Sequence, residues 1–305
     1  MKTAFLIWFC VCSLISYSQT DSDQIDTRIH LLTTIVRGQY DFKTIQGSGF
    51  FFDVLDTTNR NANWHELLNV FLVTNRHIAF TKNDDGKEEL PELFTFYLRK
   101  FEGKTLKWAP IQLSRDEMRK RLIVFGDSTI DVAAIEVGDL IFQKIKQDTT
   151  IIQFGGVNVD DLPGTRSMLF SHVTDDAIIV GYPEEFYDDV NLFPIVKSGI
   201  VASRWGEGFK GNPYFLIDAK LFPGSSGSIV ISKPTNFTIA NGQQYFSKTK
   251  EFSFLGIYSG ELEIESTKKV SGNVINETGK SLDMGIVWYG DLIIDLIKDA
   301  LSKKK

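Results

Sequence analysis

The stretch Phe222-Pro223-Gly224-Ser225-Ser226-Gly227-Ser228-Ile229-Val230 decides how the rest of the chain is read. Gly224 and Gly227 bracket two serines, and an apolar strand follows. Glycine lets the backbone turn sharply. Amide N–H groups left pointing outward in such a turn are suited to hold an oxyanion during acyl transfer. A plain Gly/Ser turn between strands reads from the same residues, so the segment acquires meaning only from partners elsewhere.

Working outward, the chain is a succession of short runs rich in β-branched and aromatic residues. They include residues 48–54, 70–74, 93–98, 131–137, 177–180, 195–202, 214–217, 228–231 and 252–258. Many short strands with Gly-containing turns predict an all-β sandwich or barrel. Two segments break the pattern. Leu140–Lys146 reads as a short helix or a linker between two halves. From Asp291 onward, Leu292, Ile293, Leu296, Ile297, Ala300 and Leu301 form one apolar helical stripe, with Asp291 as N-cap and Lys303-Lys304-Lys305 at the negative end of the dipole.

The turn at 222–228 finds two partners upstream. Of four histidines (His30, His65, His77, His172), His77 alone follows directly on an apolar strand, in Leu72-Val73-Thr74-Asn75-Arg76-His77-Ile78-Ala79. Asp131 opens the alternating run Asp131-Val132-Ala133-Ala134-Ile135-Glu136-Val137. Each feature alone reads as ordinary structure: a structural histidine, a turn aspartate, a serine turn. What changes the reading is their conjunction in the order His, Asp, Ser along one chain. The turn offers three serines, Ser225, Ser226 and Ser228.

Composition is that of an ordinary globular chain: 305 residues, 43% apolar and 24% charged, with a net charge of −6. The acidic balance argues against nucleic acid as a partner. Met1-Lys2-Thr3, the apolar run Ala4–Ile15 and the small residues around Ser16-Tyr17-Ser18 read as a signal peptide over 1–18, too short for a comfortable membrane span. Cys10 and Cys12, the two cysteines of the sequence, lie inside it. The exported chain is therefore expected to carry no disulfide, thiolate metal site or cysteine nucleophile. Neither metal nor cofactor is expected, nor stable membrane insertion after cleavage; the destination is periplasmic or secreted. Residues 19 to about 30 are a candidate pro-segment without a decisive processing signal.

These segments together resemble the trypsin-like (chymotrypsin-fold) serine peptidases, especially the disulfide-free bacterial types such as the HtrA-like and glutamyl-endopeptidase-like groups. The resemblance rests on Gly47-Ser48-Gly49-Phe50, Thr74-Asn75-Arg76-His77-Ile78, Asp131-Val132-Ala133, Val180-Gly181-Tyr182-Pro183, Ser198-Gly199-Ile200-Val201, Asp218-Ala219 ahead of Gly224–Ser228, and Leu255-Gly256-Ile257. It implies two six-stranded antiparallel β-barrels, residues 19–140 carrying His77 and Asp131 and residues 141–305 carrying Ser226 and the C-terminal helix. It further implies a serine endopeptidase acting on protein or peptide substrates, with His77, Asp131 and Ser226 catalytic and the backbone amides of Gly224 and Ser226 as oxyanion hole. The specificity pocket would involve Lys220, Ile257, Tyr258, Ser259 and Gly260. Lys220 reads either as a cation facing an acidic side chain or as an exposed loop lysine. Two departures stand out: Ser225 replaces the usual Asp or Asn, and Ser228 the usual Gly. An inactive pseudoprotease serving as a binding module is the alternative reading, and a non-enzymatic barrel with chance turns a third. The chain after Gly260 is too short for a further peptide-binding domain.

Overall fold

A computed structural model describes residues 21–303, apart from 57–65, 84, 152–153, 165–170, 184–185, 241–242 and 271–272. The signal-peptide segment and His65 lie outside the described residues. Among the described residues no helix is long and apolar enough to cross a membrane.

The first half opens with helix α1 (Asp21–Leu31), then strands β1 (Thr33–Tyr40), β2 (Lys43–Leu55) and β3 (Leu67–Thr74), and the single-turn helix α2 (Arg76–Ala79). A short pair follows, β4 (Thr81–Lys82) and β5 (Glu88–Glu89), then the hairpin β6 (Leu93–Glu102) and β7 (Thr105–Ser114). Helix α3 (Arg115–Arg121), β8 (Leu122–Val124), β9 (Ala133–Glu136), helix α4 (Gly138–Gln147) and β10 (Gly156–Val157) complete it. The second half contains β11 (Asp176–Gly181), β12 (Ile195–Val201), β13 (Tyr214–Asp218), β14 (Ile229–Ser232), the hairpin β15 (Thr235–Ala240) and β16 (Gln243–Glu251), the long hairpin β17 (Phe254–Val270) and β18 (Asn273–Tyr289), and helix α5 (Gly290–Ser302).

The second half closes into a six-stranded antiparallel barrel, β11-β12-β13-β18-β17-β14, as expected. The double-barrel class holds, but the first half is richer than six strands. Its sheet has eight, ordered β7-β6-β1-β2-β3-β9-β8, with β10 added beside β2. That last pairing is parallel, Gly156 against Phe51 and Val157 against Phe52. It arises because the chain leaving α4 crosses back to β2 before entering the second barrel. Leu140–Lys146 is helical, within α4, and the tail helix α5 forms with Ile293, Ile294, Leu296 and Ile297 buried. Asp291 does not cap it: Tyr289 holds the N-cap position and Asp291 sits in the first turn.

Each half is built around its own apolar contacts. Val36, Leu72, Phe94, Phe96, Leu113 and Ile135 fill one cluster; Ala177, Phe215, Ile217, Val230 and Val287 fill another. A third joins the halves, because Phe50 and Phe71 pack with Val180, Ile229, Phe254 and Trp288 and with the stripe of α5. Phe50 and Phe254 meet edge to face, with ring centroids 5.4 Å apart. Helix α1 covers the described part of the candidate pro-segment, residues 19 to about 30, and its Ile25 and Ile29 join this same interface.

Behind that interface lies a buried carboxyl pair. Asp161 receives Arg28 at 2.8 Å, while Asp53 Oδ1 is buried without a hydrogen-bond partner. Burial, helped by the neighbouring Asp161 charge, pushes the Asp53 carboxyl up to about 7. A folded-state value above the unfolded one favours the protonated form. Stability associated with Asp53 is therefore full in acid and is lost as pH rises from about 4 to about 7. Asp53→Asn is expected to melt above the wild type at pH 8 and level with it at pH 4. Thermal unfolding at the two pH values measures this; an equal offset at both would contradict it.

Candidate active site

His77 is placed by the end of β3. Phe71, Leu72 and Val73 are fully buried, so the strand's exit point is fixed. After Asn75 the chain makes one helical turn, with Ile78 and Ala79 amides donating to the Asn75 carbonyl. Arg76 turns inward, where its guanidinium makes a fork to Glu88 at 2.7 Å and donates to the Phe125 carbonyl. Ile78 and Ala79 are buried as well, which leaves His77 as the exposed side chain of the turn.

Asp131 lies in the loop just before β9 rather than within the strand. It grips His77 twice. Its Oδ1 accepts the His77 backbone amide at 2.9 Å, and its Oδ2 lies 2.7 Å from His77 Nδ1. A carboxylate only accepts, so the Nδ1 proton faces Asp131 and Nε2 is left with its lone pair toward the cleft. Asn75 steadies the aspartate from behind, its amide donating to the Asp131 carbonyl at 2.8 Å.

The serine turn is two successive β-turns. Ser225 N donates to the Phe222 carbonyl at 3.1 Å, with Pro223 and Gly224 at the corner. Ser228 N then donates to the Ser225 carbonyl at 3.0 Å, with Ser226 and Gly227 at the corner. Gly224 has φ +82 and Gly227 φ +84. Proline at one corner and positive φ at the next make the first a type II turn, and the second has the same glycine placement. Ser225 and Ser228 are buried, whereas Ser226 is half-buried. Among the described residues, no acceptor occupies the Gly224 or Ser226 amide.

Ser48 locks this turn to the first half. Its amide donates to the Ser226 carbonyl at 2.8 Å, its hydroxyl donates to the Gly224 carbonyl at 3.3 Å, and the same oxygen accepts the Tyr182 amide at 2.8 Å. Thr74 caps the Ser48 carbonyl at 2.8 Å. The fit leaves no room at Gly227, where an added Cβ would stand 1.9 Å from the Ser48 oxygen. Gly227→Ala is expected to lose activity and to destabilise by about 1–2 kcal/mol from the positive φ alone, with the overlap adding to it. Urea unfolding measures the shift; wild-type stability in the variant would contradict the packing.

Ser259 ties the parts together. Its hydroxyl donates to Asp131 Oδ2 at 2.5 Å, and its carbonyl accepts the Ser226 hydroxyl at 2.9 Å. The Ser226 hydroxyl thus rests on Ser259, with no hydrogen bond to His77 in this arrangement. The sequence assigns Ser259 to substrate binding; the structure gives it contacts to Asp131 and Ser226. Other residues expected at the pocket separate. Ile257 is fully buried opposite Ile229 and Trp288 and presents nothing to the cleft. Tyr258 is buried too, its ring against Gly285, its backbone paired with Gly227 and Ser228. Burial and the Glu261 charge raise its phenol above the ordinary range. At Gly260 an added Cβ would meet nothing within 4 Å, so this face is open. Lys220 is exposed and points toward Asp283 at 3.9 Å. Among the described residues no three His, Cys, Asp or Glu side chains gather as a metal-ion set.

The fold resembles several solved proteases at low identity. The serine endoprotease from Yersinia pestis is 13% identical over 95% of this chain and 69% of its own, with a TM-score of 0.44. The active form of the Rv3671c protease from M. tuberculosis is 13% identical over 91% of this chain and 84% of its own, at 0.42. HL collagenase is 14% identical over 90% and 94%, at 0.45. No curated protein matches the chain. The model of the trypsin-like peptidase domain matches residues 47–239, a span that holds Ser48, His77, Asp131 and Ser226. The chain belongs to the trypsin-like peptidase domain family and is a serine endopeptidase.

Proposed function

We propose that the chain is an exported endopeptidase working through a His77–Asp131–Ser226 triad and an acyl-enzyme. The observation that carries this is the line of contacts Ser226–Ser259–Asp131–His77, which gathers the three side chains at the junction of the two halves. Rotation about the Ser226 Cα–Cβ bond takes the hydroxyl from the Ser259 carbonyl toward His77 Nε2. Ser226 Oγ then attacks the scissile carbonyl carbon as Nε2 takes its proton. Asp131 keeps the Nδ1 proton in place and stabilises the imidazolium. The negative oxygen of the tetrahedral intermediate is met by the Gly224 and Ser226 amides, each typically worth about a hundredfold or more in rate. The C–N bond breaks, the imidazolium gives its proton to the departing amine, and water hydrolyses the ester by the same route in reverse.

Export is supported by the leader-like residues 1–18 and by the confinement of both cysteines to them. In this reading residues 19–140 and 141–305 are two halves of one catalytic unit. Ser226 is favoured over Ser225 and Ser228 because those two are buried. The test treats purified residues 19–305 with a fluorophosphonate probe. Labelling is expected in the wild type and in Ser225→Ala, and its loss in Ser226→Ala. Intact labelling of Ser226→Ala overturns the assignment. An unlabelled wild type across pH 6 to 9 returns the reading to an inactive binding module.

A further inference from the structure

We infer that Lys197, on β12 of the second barrel, is a positioning residue that holds the oxyanion-binding turn open; this rests on the reading of Ser226 and Gly224 above. Three observations converge on it. The Lys197 ammonium donates to the backbone carbonyl of Lys220. The same ammonium lies 4.5 Å from the centroid of the Phe222 ring, whose outer side is exposed. Phe222 in turn provides the carbonyl that closes the Phe222–Ser225 turn. Lys197 therefore holds the chain on the approach to the turn and at its first residue.

The turn needs such an anchor because its central peptide has two accessible orientations. In the type II form Gly224 has positive φ, and its amide has no acceptor among the described residues. Rotating the Pro223–Gly224 peptide gives a type I form, which glycine tolerates equally well. That rotation would point the Gly224 amide away from Ser226. On the downstream side, Ser48 holds the Gly224 carbonyl. On the upstream side, Ala219 and Leu221 are sunk into the barrel, and Lys197 holds the exposed residues between and after them. Residue 225, immediately before the nucleophile, is a buried serine and offers no charge to a tether. The cation comes instead from β12.

Lys197→Met removes the charge and the donor; Lys197→Arg keeps both. For Lys197→Met, kcat on a peptide amide is expected to fall about tenfold, short of the hundredfold or more for losing a donor outright. KM should stay within about twofold, since the ground-state substrate does not use the oxyanion donors fully. Affinity for a peptide boronate, which fills the oxyanion position, should fall in parallel with kcat, and Lys197→Arg should restore both. The decisive measurement needs no turnover. The Ser225 amide closes the turn in both forms, so the readout is the NOE between Pro223 Hα and the Gly224 amide proton, strong in a type II turn and weak in a type I turn, followed by NMR in the Ser226→Ala background with and without Lys197→Met. A several-fold weaker NOE with the methionine supports the proposal even if a residue other than Ser226 proves to be the nucleophile. An unchanged NOE overturns it even if Ser226 takes the probe. A raised KM at unchanged kcat, or failure of arginine to restore kcat, also overturns it.

Discussion

Ser226→Ala is expected to lower kcat/KM by about a million-fold, the scale found when a serine nucleophile is removed from a working triad. The fold should be nearly untouched. The hydroxyl makes one hydrogen bond, to the Ser259 carbonyl, and a single such bond contributes about 1 kcal/mol net. The Ser226 backbone stays held by Ser48 and by its two flanking turns. Steady-state hydrolysis of a peptide amide, with thermal melting as control, measures the effect. Ser225→Ala should retain most of the activity, because Ser225 faces the interior. Equal losses in the two variants would mean that the turn, and not one hydroxyl, carries the chemistry.

Asp131→Asn is expected to reduce kcat by about ten-thousand-fold at neutral pH. Asp131 meets three donors: the His77 amide on Oδ1, and His77 Nδ1 and the Ser259 hydroxyl on Oδ2. A carboxylate accepts all three. A carboxamide has one oxygen and an NH₂ group, so one side must face a donor with a donor. The imidazole relieves that clash by placing its proton on Nε2, the atom that must accept from Ser226. The variant should fold normally and bind a peptide aldehyde weakly. Full activity in Asp131→Asn would mean that His77 is oriented by something else.

Much of this site was legible because its residues border strong local patterns. His77 follows the run Phe71–Val73, whose burial fixes the strand exit. Ser226 sits between glycines whose positive φ the turn needs. The order of the motifs then implied the double barrel. Residues whose role depends on the meeting of the halves were not legible. Ser48 and Ser259 are small polar residues on strands, and nothing local says that one will span to Gly224 and Tyr182 and the other to Asp131. Ile257 and Tyr258 are consecutive, so they face opposite sides of their strand, and both sides are covered, Ile257 by the cluster that joins the halves and Tyr258 by the core of the second barrel. Strand β7 escaped notice because Pro110 interrupts it. It forms the edge of its sheet, where a missing donor is tolerated. Helix α1 has a sparse stripe, Ile25 and Ile29, in an otherwise polar segment, so its docking shows only in three dimensions.

The central claim is that His77 and Ser226 act as one unit, and a double-variant cycle tests it most directly. Rates are measured for His77→Ala, Ser226→Ala and the two combined. Members of one proton-transfer unit fail together, so the double variant is expected to be no slower than the worse single variant. Losses that multiply, with the double variant slower by the product of the two single effects, would contradict the account.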